Sequence, residues 1–545
     1  MEVVSEFNLL QMPWIKVLDR SNNVIEVSLS DALLQAHEYK RLSGEVEAQN
    51  TALLRMMVGL LYSIFSRYDI LGNESEFDDE DDAILRWEKL WNNKRFSEEA
   101  LNKYFDRFYD RFFLIDDKHP FYQEPKAKMD NMNYCASKLN GEISKSGNKN
   151  RMFASRAGKE IDSLTYSEAA RWLVYLINFD DASVKKGSGS GVGSLGKLGL
   201  IQAEGHNLFE TLMLNLVMLN GDELWEVADC DKGICAIWES DRERKYIKSK
   251  NKEIIEKNTN TPINFAQLMT LQSRFVYLHC ENGNVDGYWE FGGDFYDNTN
   301  AFIEPMTLWR YRDNVKNPYY YPKIHDANKQ IWREFGTMAV DHEGVKNHRA
   351  PGVVEWINTL IQTHVLTLNS YRINYRFVSV KYGSSNSSVA DSFSDMISLY
   401  SSLLMEKGRK WNIRIENDIK DCEACAKKVY AFSKQLQIAA GDSGDVTGDK
   451  AQQVFYSLID PVVREWIYHL DPDVIDDEDY EKKLFDQIYR IAIHYGQKMV
   501  QEAGPMAMRG REISTDSTKG IKAFYWAPEL YEHFCKNIGK ICKGG

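Results

Sequence analysis

Glycine, lysine and serine crowd one stretch of this chain in a way that could bring backbone amides against a phosphate or a base edge. Over residues 187–199 the sequence reads GSGSGVGSLGKLG, with Lys185 and Lys186 just before it. Gly191, Gly193 and Gly196 satisfy G-x-G-x-x-G, and Gly191, Gly196 and Lys197 satisfy G-x-x-x-x-G-K; Gly189 extends the same backbone. Residues without side chains let N–H groups approach an anion closely. Context opposes both nucleotide motifs. A phosphate-binding loop needs Ser or Thr after the lysine to hold magnesium, and Leu198 stands there; the dinucleotide fingerprint follows a strand, and an apolar helical pattern precedes this stretch. A soluble enzyme that binds a nucleotide in this loop stays open as an alternative, as does a plain flexible linker.

Other chemistry-bearing residues are sparse. Cys422 and Cys425 form a CxxC inside a helical pattern, and Cys230 and Cys235 lack a second pair at finger spacing. His342, Glu343 and His348 do not have the spacing of HExxH. No metal site and no cofactor is expected. A GxSxG elbow and kinase-type signatures are absent from the sequence, so no catalytic residue is assigned and the chain is expected not to be an enzyme.

Charge carries more information. The 545 residues hold 67 Lys+Arg against 80 Asp+Glu, a net charge of −13, which at face value opposes a nucleic-acid partner. The acidity is local, however: residues 74–82 carry seven acids and residues 471–481 another seven, neither with a base, leaving 66 acids against 67 bases elsewhere. Three windows have no acid at all. The first carries Lys145, Lys149, Arg151, Arg156 and Lys159; the second is the glycine stretch with Lys185, Lys186 and Lys197; the third holds Arg372, Arg376 and Lys381 and leads into Gly383 and a run of serines. Basic and small polar side chains suit phosphate positioning and base-edge contact, so windows that converge would form a nucleic-acid channel.

The elements that must position these residues follow from periodicity. With 43% hydrophobic and 27% charged residues the composition is that of a globular protein. The N-terminal MEVVSEFNLLQMPW lacks a basic n-region, and the longest apolar run, residues 52–65, contains Arg55 and is too short to span a bilayer. Eight scattered cysteines suit a reducing cytosol. Helical spacing runs over 30–68, with Leu53, Leu54, Met57, Leu60, Leu61 and Ile64, and again over 83–109, with the acidic run between them as a solvated loop. Thr165, three residues before Glu168, predicts a capping box opening the helix TYSEAARWLVYLINF, whose Ala169, Leu173 and Leu176 face the core. RFVYLHC, YWEFG and RFVSVKY read as strands. Beyond residue 395 the chain reads as amphipathic helices over 408–440, 449–470, 477–503 and 516–541 with short connections. The expected fold class is α+β, a large mixed domain over 1–394 followed by an antiparallel four-helix bundle over 395–545.

Several segments together carry a resemblance. FNLLQMPWIKV at residues 7–17, VSLSDALLQAHEYKRLSGE, FFLIDDKHPFYQ ending at Gln123, TYSEAARWLVYL, the glycine loop, LFETLMLNLV and EPMTLWR at residues 304–310 resemble, in order and spacing, the large-subunit (CasA) family of the type I-E CRISPR surveillance complex, Cascade. The resemblance covers essentially the whole chain. It implies a non-catalytic cytoplasmic subunit, with no membrane partner, that has a mixed N-terminal domain and a helical bundle and works with the other Cascade subunits. It implies recognition of the protospacer-adjacent motif in double-stranded target DNA, promotion of R-loop formation, and recruitment of a helicase-nuclease effector for antiviral defence.

Site roles follow from the same resemblance. The family's loop at the 5′ handle of the CRISPR RNA matches NKNRMFAS, which places Asn150, Arg151, Met152 and Phe153 there. The glycine loop approaches the adjacent motif from the minor groove, whose degenerate pattern allows permissive reading. A wedge of pattern Y-x-N-N-Q-A-S-I matches YGSSNSSV, with Ser385 and Asn386 at the tip. Two departures stand out. The wedge glutamine is replaced by the shorter Asn386, and the family's lysine finger would fall at FGGDFYDNTN, where Gly292, Gly293 and Asp294 stand without a lysine.

Overall fold

An apolar run interrupted by a single charge makes the first long helix. Residues 52–65 lie inside the helix Glu47–Phe65, in which every residue from Ala48 onward is buried. Its one buried charge, Arg55, must therefore be neutralised in place, because an unpaired buried guanidinium is strongly destabilising. Arg55 meets Glu304 in a bidentate pair at 2.8 and 2.9 Å, and Glu304 also accepts the Met306 amide at 3.0 Å. The EPMTLWR segment is thus held against the helix by its first residue.

This computed structural model describes residues 5–129, 131–143, 156–183, 191–221, 223–225, 236–240, 244–249, 252–257, 262–295, 304–340, 347–366, 372–405, 408–442, 447–471, 478–516 and 521–543. The chain forms two compact units. One comprises Met1–His325, Asn347–Leu366 and Ile373–Met396; the other comprises Asp326–Lys346, Thr367–Arg372 and Ile397–Gly545.

In the first unit a second helix, Tyr166–Phe179, packs on the first and is buried along its whole length from Ala169. The capping box forms as its sequence predicts: the Thr165 hydroxyl accepts the Glu168 amide and the Glu168 carboxylate accepts the Thr165 amide. Inside this helix Arg171 is fully buried and reaches back to the opening segment, donating to the Trp14 carbonyl at 2.7 Å and to Glu26 and Glu45 at 2.9 and 2.8 Å. Among the described residues, three antiparallel sheets have three strands each, beside several two-stranded ones. One orders the strands Val24–Val27, Ile15–Leu18 and Arg41–Leu42; another orders Arg274–Glu281, Asn284–Gly292 and Tyr134–Cys135. The third orders Val389–Tyr400, Arg372–Tyr382 and Leu200–Glu204, with Asn374 opposite Glu204 and Val378 opposite Leu200.

Several expectations shift. The stretch 30–68 is not one helix: after Leu29–Leu34 the chain turns, and Arg41–Leu42 pairs with Ile15–Leu18 before the long helix starts. The stretch 83–109 is two helices, Glu80–Asn93 and Glu98–Arg107, broken where Lys94 adopts φ 59° and Ser97 caps the second. Part of the acidic run is helical rather than loop. Asp79 caps the first turn by accepting the Asp82 amide, and Glu80, Asp81 and Asp82 sit where the helix dipole favours negative charge.

In the second unit the helices Arg409–Ala440, Thr447–His469, Glu478–Glu502 and Ala527–Cys542 pack together, the first and third each against the second and fourth. The mixed fold with a C-terminal helical region is the expected class. The fourth helix begins later than its spacing predicts, because Arg511–Asp516 and Ile521–Tyr525 form an antiparallel hairpin and Pro528 fixes the first helical turn only after it.

One buried acid gives this unit a pH dependence. Asp418 is 4% exposed, and one of its oxygens has no hydrogen bond among the described residues. Burial, with Glu481 and Asp421 nearby, pushes its pKa up to about 7 against the opposing pull of Arg414. An acid that holds its proton more tightly when folded favours the folded state at low pH, and that contribution is lost as pH rises from its unfolded value of 3.8 toward 7. Asp418→Asn is therefore expected to stabilise the bundle by about 2 kcal/mol at pH 8 and by little at pH 4. Chemical denaturation at the two pH values checks this; an equal effect at both would contradict it.

Candidate nucleic-acid interface

Past the end of the helix Tyr166–Phe179 the backbone groups from Phe179 to Ala182 need partners outside the helix, and two distant loops supply them. The Gly193 amide donates to the Asp180 carbonyl at 2.8 Å. The Ala182 amide donates to the Asn386 carbonyl at 2.8 Å, and the Tyr382 hydroxyl donates to the Phe179 carbonyl at 2.8 Å. The glycine segment and the loop carrying Ser385 and Asn386 therefore hang from one helical terminus. The third sheet reinforces this, since Leu200–Glu204 follows the glycine segment directly and pairs with the strand that leads into the second loop.

Within the glycine segment the glycines have different jobs. A Cβ on Gly193 would sit 2.3 Å from the Asn178 carbonyl oxygen, and one on Gly196 would sit 2.2 Å from the Tyr382 hydroxyl, so both are glycine for packing. Their amides are spent internally: Gly193 on Asp180, Gly196 on the Gly193 carbonyl at 3.0 Å. Residues Ser194–Lys197 form a short 3-10 turn. That arrangement is not an anion-binding nest and counts against the nucleotide-binding alternative. Gly191 differs, because the space beside its Cα is open except for the Lys197 ammonium 3.8 Å away, and Lys197 is exposed. Among the described residues of this segment, the open edge is Gly191 with Lys197.

The second loop is exposed at Ser384, Ser385 and Asn386. It is closed by the Gly383 amide on the Ser388 carbonyl at 2.9 Å and the Asn386 amide on the Gly383 carbonyl at 3.0 Å. Ser385 and Asn386 both lie in the left-handed region, at φ 56° and 53°, a conformation that costs a serine about 1 kcal/mol. Local strain of this kind is held only by surrounding contacts.

Below the two loops lies a buried ion cluster that sequence reading missed. Arg274, 1% exposed, donates through Nε to the Asp180 carboxylate at 2.7 Å and through its terminal nitrogens to the carbonyls of Ser273, Asp181 and Gly191 at 2.8, 2.9 and 2.8 Å. Glu290 lies 3.3 Å from the same Nε. Lys138 binds Asp181 at 2.5 Å and lies 3.7 Å from Asp180. Burial is the largest single influence and lowers both cations' pKa values, but the carboxylates together outweigh it, Asp180 with Glu290 for Arg274 and Asp180 with Asp181 for Lys138, and both are held above their ordinary values. The only signal in the sequence was the pair Asp180 and Asp181 directly after an apolar helix.

The basic windows do not all stay available. Arg156 is paired with Glu168 and Arg376 with Glu204. Arg372 is sandwiched between the rings of Tyr400 and Tyr468, at 4.5 and 4.3 Å. Lys381 and Lys197 remain exposed. Asn150, Arg151, Met152 and Phe153, and likewise Lys185, Lys186 and Gly189, lie outside the described residues, as do Cys230, Cys235, His342 and Glu343. Where the lysine finger was sought, Asp294 is held in a two-bond ion pair by Arg244 at 2.9 and 2.6 Å, and residues 296–300 lie outside the described residues. Cys422 and Cys425 are buried within one helix, and no group of three metal-ligating side chains forms among the described residues. None of the described helices is long and apolar enough to cross a membrane.

The contrast between glycines is measurable. Gly193→Ala is expected to lose about 1–3 kcal/mol, because the added methyl meets rigid backbone, whereas Gly191→Ala should stay within about 0.5 kcal/mol of the parent. Thermal and denaturant unfolding of the two variants checks this.

With this geometry in view, comparison with known proteins is informative. The sequence profile of the family described as CRISPR-associated protein Cse1 matches residues 8–494. A protein of Thermus thermophilus named CRISPR-associated protein CasA/Cse1 is 31% identical over 230 residues, which is 41% of this chain and 43% of that relative, so the alignment spans less than half of the relative's length. The crystal structure of Thermobifida fusca Cse1 superposes with a TM-score of 0.81 at 25% identity, covering 98% of both chains. A chain of a CRISPR RNA-guided surveillance complex superposes with a TM-score of 0.67 at 14% identity, over 98% of this chain and 100% of that one, a likeness of fold. On the match across residues 8–494, this chain belongs to the CRISPR-associated Cse1 family.

Proposed function

We propose that this chain is the non-catalytic large subunit of a type I-E CRISPR RNA-guided surveillance complex. In this reading it recognises the protospacer-adjacent motif in double-stranded DNA, promotes R-loop formation and recruits a helicase-nuclease. The observation that carries the reading is the convergence of the glycine segment and the Ser385–Asn386 loop on one helical terminus, where Gly193 binds Asp180 and Ala182 binds Asn386. A motif reader and a strand wedge must lie side by side, because the first base pairs to open adjoin the motif. Family membership and the shared fold with a chain of a surveillance complex support assembly with other subunits and guide RNA.

The division of labour is chemically coherent. Gly191 and Lys197 offer a small edge and one cation to a minor groove, whose donor and acceptor pattern is degenerate, so recognition excludes poor motifs without selecting a single sequence. The polar tip at Ser385 and Asn386 enters beside it, and unstacking is offset once the guide pairs with the target strand. The same reading assigns Asn150, Arg151, Met152 and Phe153 to the guide's 5′ handle, and Lys185, Lys186 and Gly189 to contact with the motif. Most phosphate neutralisation then belongs to the partners, in keeping with a nearly balanced body outside two acidic runs.

Substituting Gly193 and Gly196 would confound a functional test with packing damage, so the test belongs at the open edge. In the complex assembled with CRISPR RNA, Gly191→Leu and Lys197→Ala are each expected to weaken binding of a matched duplex target about tenfold. Unchanged affinity for both would overturn the motif-reading role. Asn386→Ala should slow strand opening, followed by a fluorescent base beside the motif, more than it slows initial duplex binding; equal slowing of both steps would remove the wedge role.

A further inference from the structure

We infer that Arg274 and Tyr382 are positioning residues that make motif reading and strand opening one mechanical event, an inference that rests on the function proposed above. Neither faces a ligand. Arg274 is buried beneath the glycine segment, and Tyr382 lies on the strand that enters the second loop.

The contacts form a closed ring. From Gly191 the carbonyl is gripped by Arg274 at 2.8 Å, and Arg274 in turn grips the Asp180 carboxylate and the Asp181 carbonyl. The next residue, Ala182, holds the Asn386 carbonyl at 2.8 Å. From Asn386 the loop returns through Gly383 to Tyr382, whose hydroxyl binds the Phe179 carbonyl and lies against Gly196. Gly196 leads back to Gly193 and Gly191. Around this ring each step is a hydrogen bond, a steric contact or a short length of chain.

Rigidity at two points makes the ring transmit displacement. The guanidinium is planar, and its donors are aimed at four fixed acceptors, so the Gly191 carbonyl does not shift without breaking a charge-assisted bond. The flat face of Gly196 leaves no slack against the Tyr382 ring. A duplex edge that displaces Gly191 therefore moves the anchor of the Asn386 carbonyl and, with it, two residues already held in left-handed backbone. A duplex edge that fits leaves the tip set for entry.

Two substitutions isolate this. Arg274→Lys keeps the charge inside the cluster but loses the fork, and Tyr382→Phe keeps the ring but loses the hydroxyl. The assembled complex is given two targets, a matched full duplex and the same sequence already unpaired over the base pairs next to the motif. Each variant is expected to bind the duplex about tenfold more weakly. The pre-opened target should change by no more than about twofold, and the double variant should lose no more than about twofold beyond the weaker single variant, because both break the same ring. Equal losses on the two targets, no loss on either, or a multiplicative double variant would each overturn the inference. Should Arg274→Lys fail a thermal unfolding check, Tyr382→Phe alone decides between these outcomes. The two readings fail separately: wild-type duplex affinity in Gly191→Leu removes the motif-reading function, whereas impaired Gly191→Leu with unimpaired Arg274→Lys and Tyr382→Phe removes only the coupling.

Discussion

The ion pair between Arg274 and Asp180 sits where water does not reach, and the two candidate loops take their positions from it. Buried ion pairs are poor sources of net stability, because desolvation consumes most of the Coulombic gain. Their geometric demands are strict, however. Once Arg274 is enclosed its N–H groups need acceptors, and four bonds go to the Asp180 carboxylate and the carbonyls of Ser273, Asp181 and Gly191. An apolar replacement of Arg274 alone would leave Asp180 and Glu290 buried without their cation and would release the glycine segment. The cluster with Lys138, Asp181 and Glu290 is best understood as an instrument of position.

That instrument is supported at a distance by the same device used twice more. Arg55 with Glu304 fixes the first long helix, and Arg171 with Glu26, Glu45 and the Trp14 carbonyl fixes the second helix near its start. Both ends of Tyr166–Phe179 are therefore tied by buried arginines, one on the helix and one beyond its terminus. A helix tied at both ends presents its last turn in a set place, which is what two loops sharing that turn require.

What could be read from the sequence was what depends on neighbours in the chain. The capping box of Thr165 and Glu168, the apolar run through Arg55, the strands around Phe275, Trp289 and Phe377, and the helical C-terminal region are set by local spacing. Non-local pairing was out of reach. Nothing near Arg274 in sequence announces Asp180, 94 residues earlier. Arg156, Arg372 and Arg376 looked available because their windows held no acids, yet Glu168, Glu204 and two tyrosine rings reach them from elsewhere. The glycine pattern was legible as a place of close approach; that Gly193 and Gly196 approach the protein itself, while Gly191 has open space beside it, required coordinates. The late start of the fourth helix followed from a hairpin whose alternation was weaker than the helical spacing overlapping it.

The difference between Gly193 and Gly191 also bears on how such a protein diversifies. A codon change at 193 or 196 meets backbone or a tyrosine hydroxyl and damages the fold before it alters recognition. A codon change at 191 or 197 meets open space and alters only the exposed edge of the segment. Under the proposed function, a lineage pressed by invaders that mutate their motifs can widen or narrow its tolerance by single steps at two positions, without first assembling a compensating change in the interior.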